Sequence, residues 1–344
     1  MIDVHAHAVL DMVLGAAGPH GPELWEEDGE QRFRVGGYTL CGVRYRGSLY
    51  MDVDVRLRAM DAAGIDFQVL SPNPLTYFHH IGADDAVAFC RRHNDAMAEL
   101  VARHPDRLAG LASLPMQDPE AAATELERAV GQNGLLGPYV GTSFGRDLDD
   151  AVLDDLYALC SQLDAPWFYH PAPSGLDGPL LDTRLRRFDL DLILEFAYEE
   201  TIAVATLIYG GVLRRHPRLD IVVSHGGGAA AAMYPKLRHA ASRRPWSPGW
   251  LSEPGAFEAF FQRLWFDVHV GDEPSLELLR TRADPNHLVF GTNFGGWDSG
   301  VAHRLEPDLE AELDRNARRL LRLERRGPGA GTVGTSSAAA SEDQ

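Results

Sequence analysis

Residues 219–227 read LDIVVSHGG, and this segment shows the pattern that decides the fold. A short apolar run, typical of a buried strand, ends in histidine and glycine, and an amphipathic stretch follows it. The same alternation recurs along the chain and predicts eight strands separated by helices. The strand candidates span residues 2–8, 66–71, 107–115, 134–142, 165–171, 219–227, 264–270 and 287–292.

Eight strands that alternate with helices predict an α/β fold, namely a (β/α)₈ or TIM barrel. An open doubly wound sheet is the alternative. It usually needs fewer strands, and no Gly-x-Gly-x-x-Gly motif follows a strand candidate. Residues 10–50, which are rich in glycine, arginine and aromatic residues, form an insertion after the first strand. In a barrel this insertion would lie at the carboxyl ends of the strands and could act as a lid.

The composition is that of an acidic globular protein. The 344 residues include 32 Lys and Arg against 50 Asp and Glu, a net charge of −18. This charge argues against a nucleic-acid partner or an anionic membrane surface. No apolar stretch approaches the roughly 20 residues of a membrane span, and the amino terminus lacks the pattern of a signal peptide. Three widely spaced cysteines, Cys41, Cys90 and Cys160, favour packing roles and a cytoplasmic location.

The domain organisation follows from the same composition. Residues 1–326 are predicted to form one domain, because no linker-like segment interrupts the alternation of strands and helices. Residues 327–344 are small, polar and glycine-rich, and cannot bury enough apolar surface to offset the entropy lost on ordering. We therefore expect them to form a disordered tail.

Histidines stand at the carboxyl ends of three predicted strands, where barrels carry their chemistry. His5 and His7 are two residues apart and face the same side of the first strand, His170 ends the fifth and His225 ends the sixth. Imidazole is the commonest ligand of Zn²⁺ and similar ions, and such an ion lowers the pKa of bound water toward about 7. The pattern predicts a metal centre of His5, His7, His170 and an oxygen ligand from the eighth strand.

The other histidines lie mostly in loop or helix patterns and are expected to be surface or core residues. His269, near the end of the seventh strand, is the reserve candidate for the site, and His79 and His80 could approach it from the loop after the second strand. A Schiff-base lysine is nearly excluded, because the single lysine, Lys236, lies in the helix predicted after the sixth strand.

The segments IDVHAHA, FYHPA, LDIVVSHGGG and LVFGTNFGG, in this order, resemble the amidohydrolase-2 branch of the metal-dependent hydrolase superfamily. The resemblance covers roughly residues 1–322 and extends to the stretch EETIAVATLIYGGVLRRHPRLDIVVSHGGG. Within the family, the chain is most similar to the aminocarboxymuconate-semialdehyde decarboxylase group. The resemblance implies a TIM barrel, one divalent ion (Zn²⁺, with Mn²⁺ as the alternative), a small carboxylate substrate and a homodimer.

The resemblance also assigns roles to individual residues. His5, His7 and His170 match the metal-binding histidines of the family, and His225 matches an acid/base histidine that stays off the metal. Asn293 occupies the position of the family's strand-eight aspartate, which makes it a candidate metal ligand and catalytic residue. Because an amide neither neutralises an ion nor shuttles a proton, this departure questions standard hydrolysis and standard decarboxylation.

Three further features bear on the substrate. Asp298 is a carboxylate that could stand in for the missing aspartate. Arg46, with Arg44 in reserve, matches the arginine that binds a substrate carboxylate in the decarboxylase, a role that suits its forked guanidinium. The segment after His170 lacks the family's tryptophan-rich substrate segment, so we expect a different specificity.

These observations predict a metal-dependent lyase that decarboxylates a small aromatic or dienoic carboxylate. The alternative is a cyclase or hydrolase of secondary metabolism, in which the ion polarises a carbonyl group. The product distinguishes the two enzymes, because the lyase releases CO₂ and the cyclase releases water. A non-catalytic binding protein is the third hypothesis, and metal analysis of the purified protein tests it.

Overall fold

The computed structural model of the protein describes residues 1–174, 176, 182–296, 298–299 and 305–323. The predicted tail, residues 327–344, lies outside this range. The strands are β1 (Ile2–Ala8), β2 (Glu23–Glu27), β3 (Glu30–Val35), β4 (Tyr38–Cys41), β5 (Phe67–Pro72), β6 (Leu108–Gly110), β7 (Tyr139–Gly141), β8 (Trp167–His170), β9 (Ile221–Val223), β10 (Trp265–Asp267) and β11 (Leu288–Val289). The helices are α1 (Val53–Ala63), α2 (Ala83–Ala102), α3 (Pro119–Gly131), α4 (Asp154–Leu163), α5 (Leu190–Ile193), α6 (Glu195–Tyr209), α7 (Val212–Arg215), α8 (Ala230–Arg243), α9 (Gly249–Ser252), α10 (Ala256–Phe261), α11 (Glu273–Arg280) and α12 (Pro307–Leu320).

Two parallel sheets form the centre of the fold. One sheet has the order β1-β5-β6, and the other has the order β11-β10-β9-β8-β7. Each of these strands overlaps one of the eight segments that the sequence predicts. Helices separate most consecutive strands, as parallel connections require. The predicted α/β class is therefore confirmed.

Backbone hydrogen bonds also join the two sheets where their edges meet. At one junction Val4 N donates to Phe290 O (3.0 Å), which places the first strand beside the last. At the other junction Ala112 N donates to Gly137 O (2.8 Å). The carboxyl ends of strands from both sheets consequently lie at one common face.

The core is built from apolar side chains of the strands and of the helices that pack on them. Trp167 on β8, Leu207 on α6 and Phe261 on α10 are fully buried. Asp52 caps the start of α1, because its carboxylate accepts hydrogen bonds from Asp54 N (3.0 Å) and Val55 N (3.1 Å). Among the described residues, no helix combines the length and the apolar character needed to cross a membrane.

The cysteines divide into two kinds. Cys90 and Cys160 are buried and pack in the core, as predicted. The same prediction is wrong for Cys41, which is exposed. Cys41 ends an edge strand of the insertion, where Arg32 Nη1 donates to its sulfur (2.6 Å).

The insertion after β1 contains a small antiparallel sheet of order β2-β3-β4, which the sequence analysis did not predict. Phe33 and Val35 on β3 are buried, so one face of this sheet is packed against the rest of the molecule. Asp28 and Gly29 connect β2 to β3 with positive φ angles of 54° and 79°. Such angles are typical of tight hairpin turns. A lid role for the insertion stays a prediction.

Candidate functional site

Three histidine rings from two strands converge at the carboxyl ends of the sheets. His5 and His7 lie on β1, and His170 is the last residue of β8. The ring centroids are 5.1 Å (His5–His7), 5.0 Å (His5–His170) and 4.8 Å (His7–His170) apart. One ligand nitrogen of each ring lies within 4.8 Å of the others, and each residue is at most 3% exposed. The fold thus brings together the three predicted metal-binding histidines.

The rings of His5 and His170 are held through their Nδ1 atoms. His5 Nδ1 lies 2.8 Å from Asp267 Oδ2 on β10, and His170 Nδ1 lies 2.6 Å from Pro171 O. An ionised carboxylate and a carbonyl oxygen only accept hydrogen bonds, so both histidines donate from Nδ1. Their Nε2 atoms therefore keep a free lone pair, the state that a metal ligand needs.

His7 is held in the same way by a hydroxyl group. Its Nδ1 lies 2.9 Å from Ser71 Oγ, which itself donates to Ala6 O (2.9 Å). Because the serine proton is committed to Ala6, Ser71 accepts from His7 Nδ1, and His7 Nε2 also keeps its lone pair. The buried Arg56 donates to the carbonyl oxygen of His7 and to Gln68 Oε1 (2.6 Å), which fixes the backbone of β1.

Among the described residues, the buried atoms of the site without a hydrogen-bond partner include His5 Nε2, His170 Nε2 and Asn293 Oδ1. Buried polar atoms are rarely left unpaired in native proteins, so this group needs an explanation. Burial also lowers the pKa of all three histidines, that of His7 to about 3, which keeps them in the neutral ligand form. The residues present therefore fit one divalent ion held by three nitrogens and one oxygen.

His225 lies beside this cluster, just after β9. Its ring centroid is 4.8 Å from that of His5 and 4.9 Å from that of His170. Its Nδ1 donates to Oε1 of the fully buried Glu200 on α6 (2.6 Å). Burial alone would lower the pKa of His225, but the Glu200 carboxylate raises it to about 9. His225 is thus a candidate proton donor next to the histidine cluster.

Asn293 is linked to two further residues after β10 and β11. Asn293 Nδ2 donates to Asp298 Oδ1 (2.6 Å), and His269 Nε2 donates to Asp298 Oδ2 (3.0 Å). Burial opposes the ionisation of Asp298, yet the bonds from His269 and Asn293 hold its pKa down at about 2. His269, the reserve candidate, therefore lies at the site and is connected to Asn293 through Asp298.

A cavity of about 570 Å³ opens beside the site. His225 and His269 line its polar side, and Leu192, Ile193 and Phe196 contribute apolar walls. This size is in the range of pockets that bind small molecules.

Arg46 lies in the insertion, with its guanidinium more than half exposed. Its Nη1 pairs with Asp11 Oδ1 (2.7 Å), and Arg44 Nε donates to the Arg46 carbonyl oxygen (3.2 Å). His79 is buried and stacks on Tyr77 with a centroid distance of 5.4 Å. The Tyr77 ring lies 6.2 Å from that of Tyr139, which stacks on His170 (5.6 Å), so His79 is connected to the histidine cluster through two tyrosines. The contacts of Arg46 do not lead to the cluster, and its substrate-binding role stays a prediction.

Sequence reasoning missed the residues that orient the histidines, among them Ser71, Asp267 and Glu200. One signal was available for Glu200, because the stretch EETIAVATLIYGG is otherwise strongly apolar. A carboxylate in a buried helix requires a partner, and His225 is that partner. Ser71 and Asp267 carry no comparable signal.

Comparisons with known proteins identify the family of the chain. A sequence model of the amidohydrolase family (Amidohydro_2) matches residues 2–323. The 2-amino-3-carboxymuconate-6-semialdehyde decarboxylase of Dictyostelium discoideum is 30% identical over 245 residues, 71% of this chain and 66% of the relative. The gamma-resorcylate decarboxylase of Rhizobium radiobacter is 34% identical over 194 residues, 54% of this chain and 59% of the relative. The matched part of the chain spans about two thirds or less of these relatives.

A solved structure shares the fold over almost the whole chain. It is the dihydroxybenzoic acid decarboxylase of Polaromonas sp. JS666, with bound manganese and the inhibitor 2-nitroresorcinol. The TM-score is 0.73 at 24% identity, over 94% of this chain and 97% of that protein. With the family match over residues 2–323 and the histidine cluster in place, the chain belongs to the amidohydrolase family.

Proposed function

We propose that this chain is a metal-dependent carboxy-lyase that removes CO₂ from a small aromatic or dienoic carboxylate. The observation that carries the proposal is the His225 ring, which donates to the buried Glu200 carboxylate (2.6 Å) and lies beside the cluster of His5, His7 and His170. Two relatives that are named as decarboxylases support it.

His5, His7, His170 and Asn293 would hold one divalent ion. Three nitrogens and one oxygen suit Zn²⁺ and Mn²⁺ alike, and the Polaromonas protein of the same fold was solved with manganese. When bound, the ion would supply electrophilic polarisation of the substrate oxygens.

His225 would supply the proton that replaces the carboxylate. As the bond between the substrate carbon and its carboxyl carbon breaks, the electron pair stays on the substrate carbon. That carbon takes the proton from His225 Nε2, and CO₂ leaves. Glu200 holds Nδ1 and stabilises the imidazolium, and solvent afterwards returns the proton.

The cavity and the insertion would bind the rest of the substrate. Leu192, Ile193 and Phe196 offer an apolar surface for a ring or diene. Arg46 would hold a substrate carboxylate in place of Asp11. An exposed ion pair such as Arg46–Asp11 contributes at most about 1 kcal/mol, so the exchange costs little.

We further infer that the two parallel sheets form one (β/α)₈ barrel within residues 1–326, with residues 10–50 as its lid. The bonds from Val4 to Phe290 and from Ala112 to Gly137 support closure, as does membership of the family. A homodimer and a cytoplasmic location remain predictions from the sequence. Sedimentation analysis of the purified protein checks the dimer.

The test measures CO₂ release by metal-loaded protein supplied with gamma-resorcylate and with dienoic carboxylates, with His225→Gln as the matched variant. We expect turnover of at least one substrate, and a loss of about 100-fold or more in His225→Gln at unchanged metal content. Loss of water without CO₂ would favour the cyclase instead. A purified protein without a stoichiometric divalent ion would overturn both enzyme hypotheses.

A further inference from the structure

Asn293 presents an amide to the histidine cluster, and a carboxylate lies directly behind that amide. The two ends of an asparagine side chain have similar size, but only the oxygen can bind a metal ion. Asn293 Nδ2 donates to Asp298 Oδ1 at 2.6 Å. Because a carboxylate only accepts, the reversed amide would bring two acceptors into contact. Asp298 thus selects the orientation in which the amide oxygen points away from the carboxylate, and the Asn293 side chain contacts His7.

Other contacts fix the positions of Asn293 and Asp298. Asn293 Oδ1 is buried without a partner, as expected for an atom aimed at an ion. His269 Nε2 fixes the other oxygen of Asp298 (3.0 Å). Residue 296 is glycine, and a Cβ atom there would collide with the Asn293 side chain. The backbone after Asn293 is pinned to the first strand, since Phe294 N donates to His5 O (3.1 Å).

We infer that Asn293 and Asp298 act together as one metal-binding carboxylate divided over two residues. Asn293 supplies the ligand oxygen, and Asp298 is a positioning residue that supplies the negative charge and fixes the amide. The bond to a carboxylate polarises the amide, so that its oxygen carries more negative charge than a free amide oxygen. The inference rests on the metal site of the proposed function and defines how that site is neutralised.

Exchanging the two residues gives a sharp test. Asn293→Asp alone places a second carboxylate against Asp298 at hydrogen-bond distance, where like charges repel. Asp298→Asn alone removes the charge and the acceptor that selects the amide orientation. The double variant Asn293→Asp/Asp298→Asn restores one donor and one acceptor with their positions reversed. The new amide at position 298 can also still accept from His269.

The experiment titrates Mn²⁺ into chelator-treated protein and measures affinity and stoichiometry by calorimetry. We expect each single variant to bind Mn²⁺ about 10–100-fold more weakly than the wild type. We expect the double variant to recover to within about threefold. Asp106→Asn is the control for charge, because Asp106 is an exposed carboxylate in the loop that precedes β6, at the opposite ends of the strands. This variant should bind like the wild type.

The outcomes separate the inference from the proposed function. A wild-type protein that is folded and binds no Mn²⁺ overturns both. A wild-type protein that binds Mn²⁺ while Asp298→Asn binds equally well overturns the inference alone. A double variant weaker than either single variant also overturns it. If circular dichroism shows that Asp298→Asn is unfolded, recovery of folding and of Mn²⁺ affinity in the double variant still decides the question.

Discussion

His170 owes its free Nε2 atom to one backbone group. The carbonyl oxygen of Pro171 takes the Nδ1 proton at 2.6 Å, and Tyr139 stacks on the ring at a centroid distance of 5.6 Å. The ring is therefore fixed in tautomer and direction without a charged partner. A ligand prepared in this way loses little entropy when an ion binds.

We expect His170→Ala to abolish stoichiometric metal binding, because it removes one of three nitrogen ligands from a buried site. Elemental analysis of the purified variant and titration with Mn²⁺ measure the effect. His239→Ala removes an exposed imidazole from α8 and should keep the wild-type metal content. One ion per chain in His170→Ala would show that the ligand set is wrong.

We expect Glu200→Gln to move the alkaline limit of turnover to lower pH. Glu200 raises the pKa of His225 to about 9, so His225 stays protonated below that pH and loses its proton as the pH rises through it. Glutamine keeps the shape and removes the charge, so His225 loses its proton at a lower pH. The upper limb of the pH–rate profile should move down by about one unit or more, at unchanged metal content.

The neighbouring Glu199 supplies the matched control for that experiment. It lies on the same helix and contacts Thr142 Oγ1 at 3.4 Å instead of His225. Glu199→Gln should leave the alkaline limit in place. Superimposable profiles for Glu200→Gln and the wild type would remove Glu200 from the control of the proton donor.

At the scale of elements, the chain beyond β11 passes close to β1 and β10 because residue 291 has no side chain. A Cβ atom on Gly291 would lie 2.8 Å from His5 Cβ and 2.9 Å from Asp267 Cβ. Asp267 accepts the hydrogen bond from His5 Nδ1 that orients the His5 ring. Close approach of the three segments therefore holds the metal-facing nitrogen in place.

We expect Gly291→Ala to lower the free energy of unfolding by about 1–3 kcal/mol and to weaken Mn²⁺ binding, since the added methyl group forces the segments apart. Denaturant titration and calorimetry measure the two effects. Gly131→Ala, at the end of α3, adds a methyl group with no atom within 4 Å and should not lower stability. Wild-type stability and affinity in Gly291→Ala would contradict the packing described.

The sequence predicted the parallel strands well and the insertion poorly. Short apolar runs, most of which end in glycine, proline, serine or histidine, mark buried parallel strands, and each observed parallel strand overlaps a predicted run. The antiparallel sheet of the insertion was missed, although the Asp28-Gly29 dipeptide between β2 and β3 is a strong hairpin signal. Mostly polar edge strands lack the continuous apolar character on which the prediction relied.

The same distinction applies to the candidate site, where some residues could be predicted from the sequence and others could not. His5, His7 and His170 could be predicted because their positions in their own strands place them at one face. Asp267 could not, because it lies 262 residues from His5 and only the packed strands bring the two together. Residues that orient a ligand are set by tertiary contacts, which a single sequence does not display.

At the scale of the whole molecule, stability depends on buried neutral histidines outside the metal site. Burial lowers the pKa of His93 to about 4 and that of His79 to about 3. The unfolded chain protonates these residues below the ordinary value of 6.5, whereas the folded protein does not. The contribution of these two residues to the free energy of unfolding therefore falls as the pH is lowered from 6.5 toward 4.

We expect His93→Gln to reduce this pH dependence by roughly 1.4 kcal/mol per pH unit, the contribution of one proton. Denaturant titration of metal-free protein between pH 6.5 and pH 4 measures the slope. His239→Gln, on the exposed face of α8, should keep the wild-type slope. Equal slopes for His93→Gln and the wild type would contradict a buried, neutral His93.

The pairing of the first strand with the last has a consequence for when the protein can acquire its metal. His7 N donates to Phe294 O at 2.8 Å, so the site combines the beginning of the chain with a segment close to its end. During translation His5 and His7 are made before the segment around Asn293. A nascent chain that stops short of Asn293 lacks one residue of the proposed ligand set, so the complete site forms only after that segment is made, and a chain terminated before it would leave its histidines without a complete site.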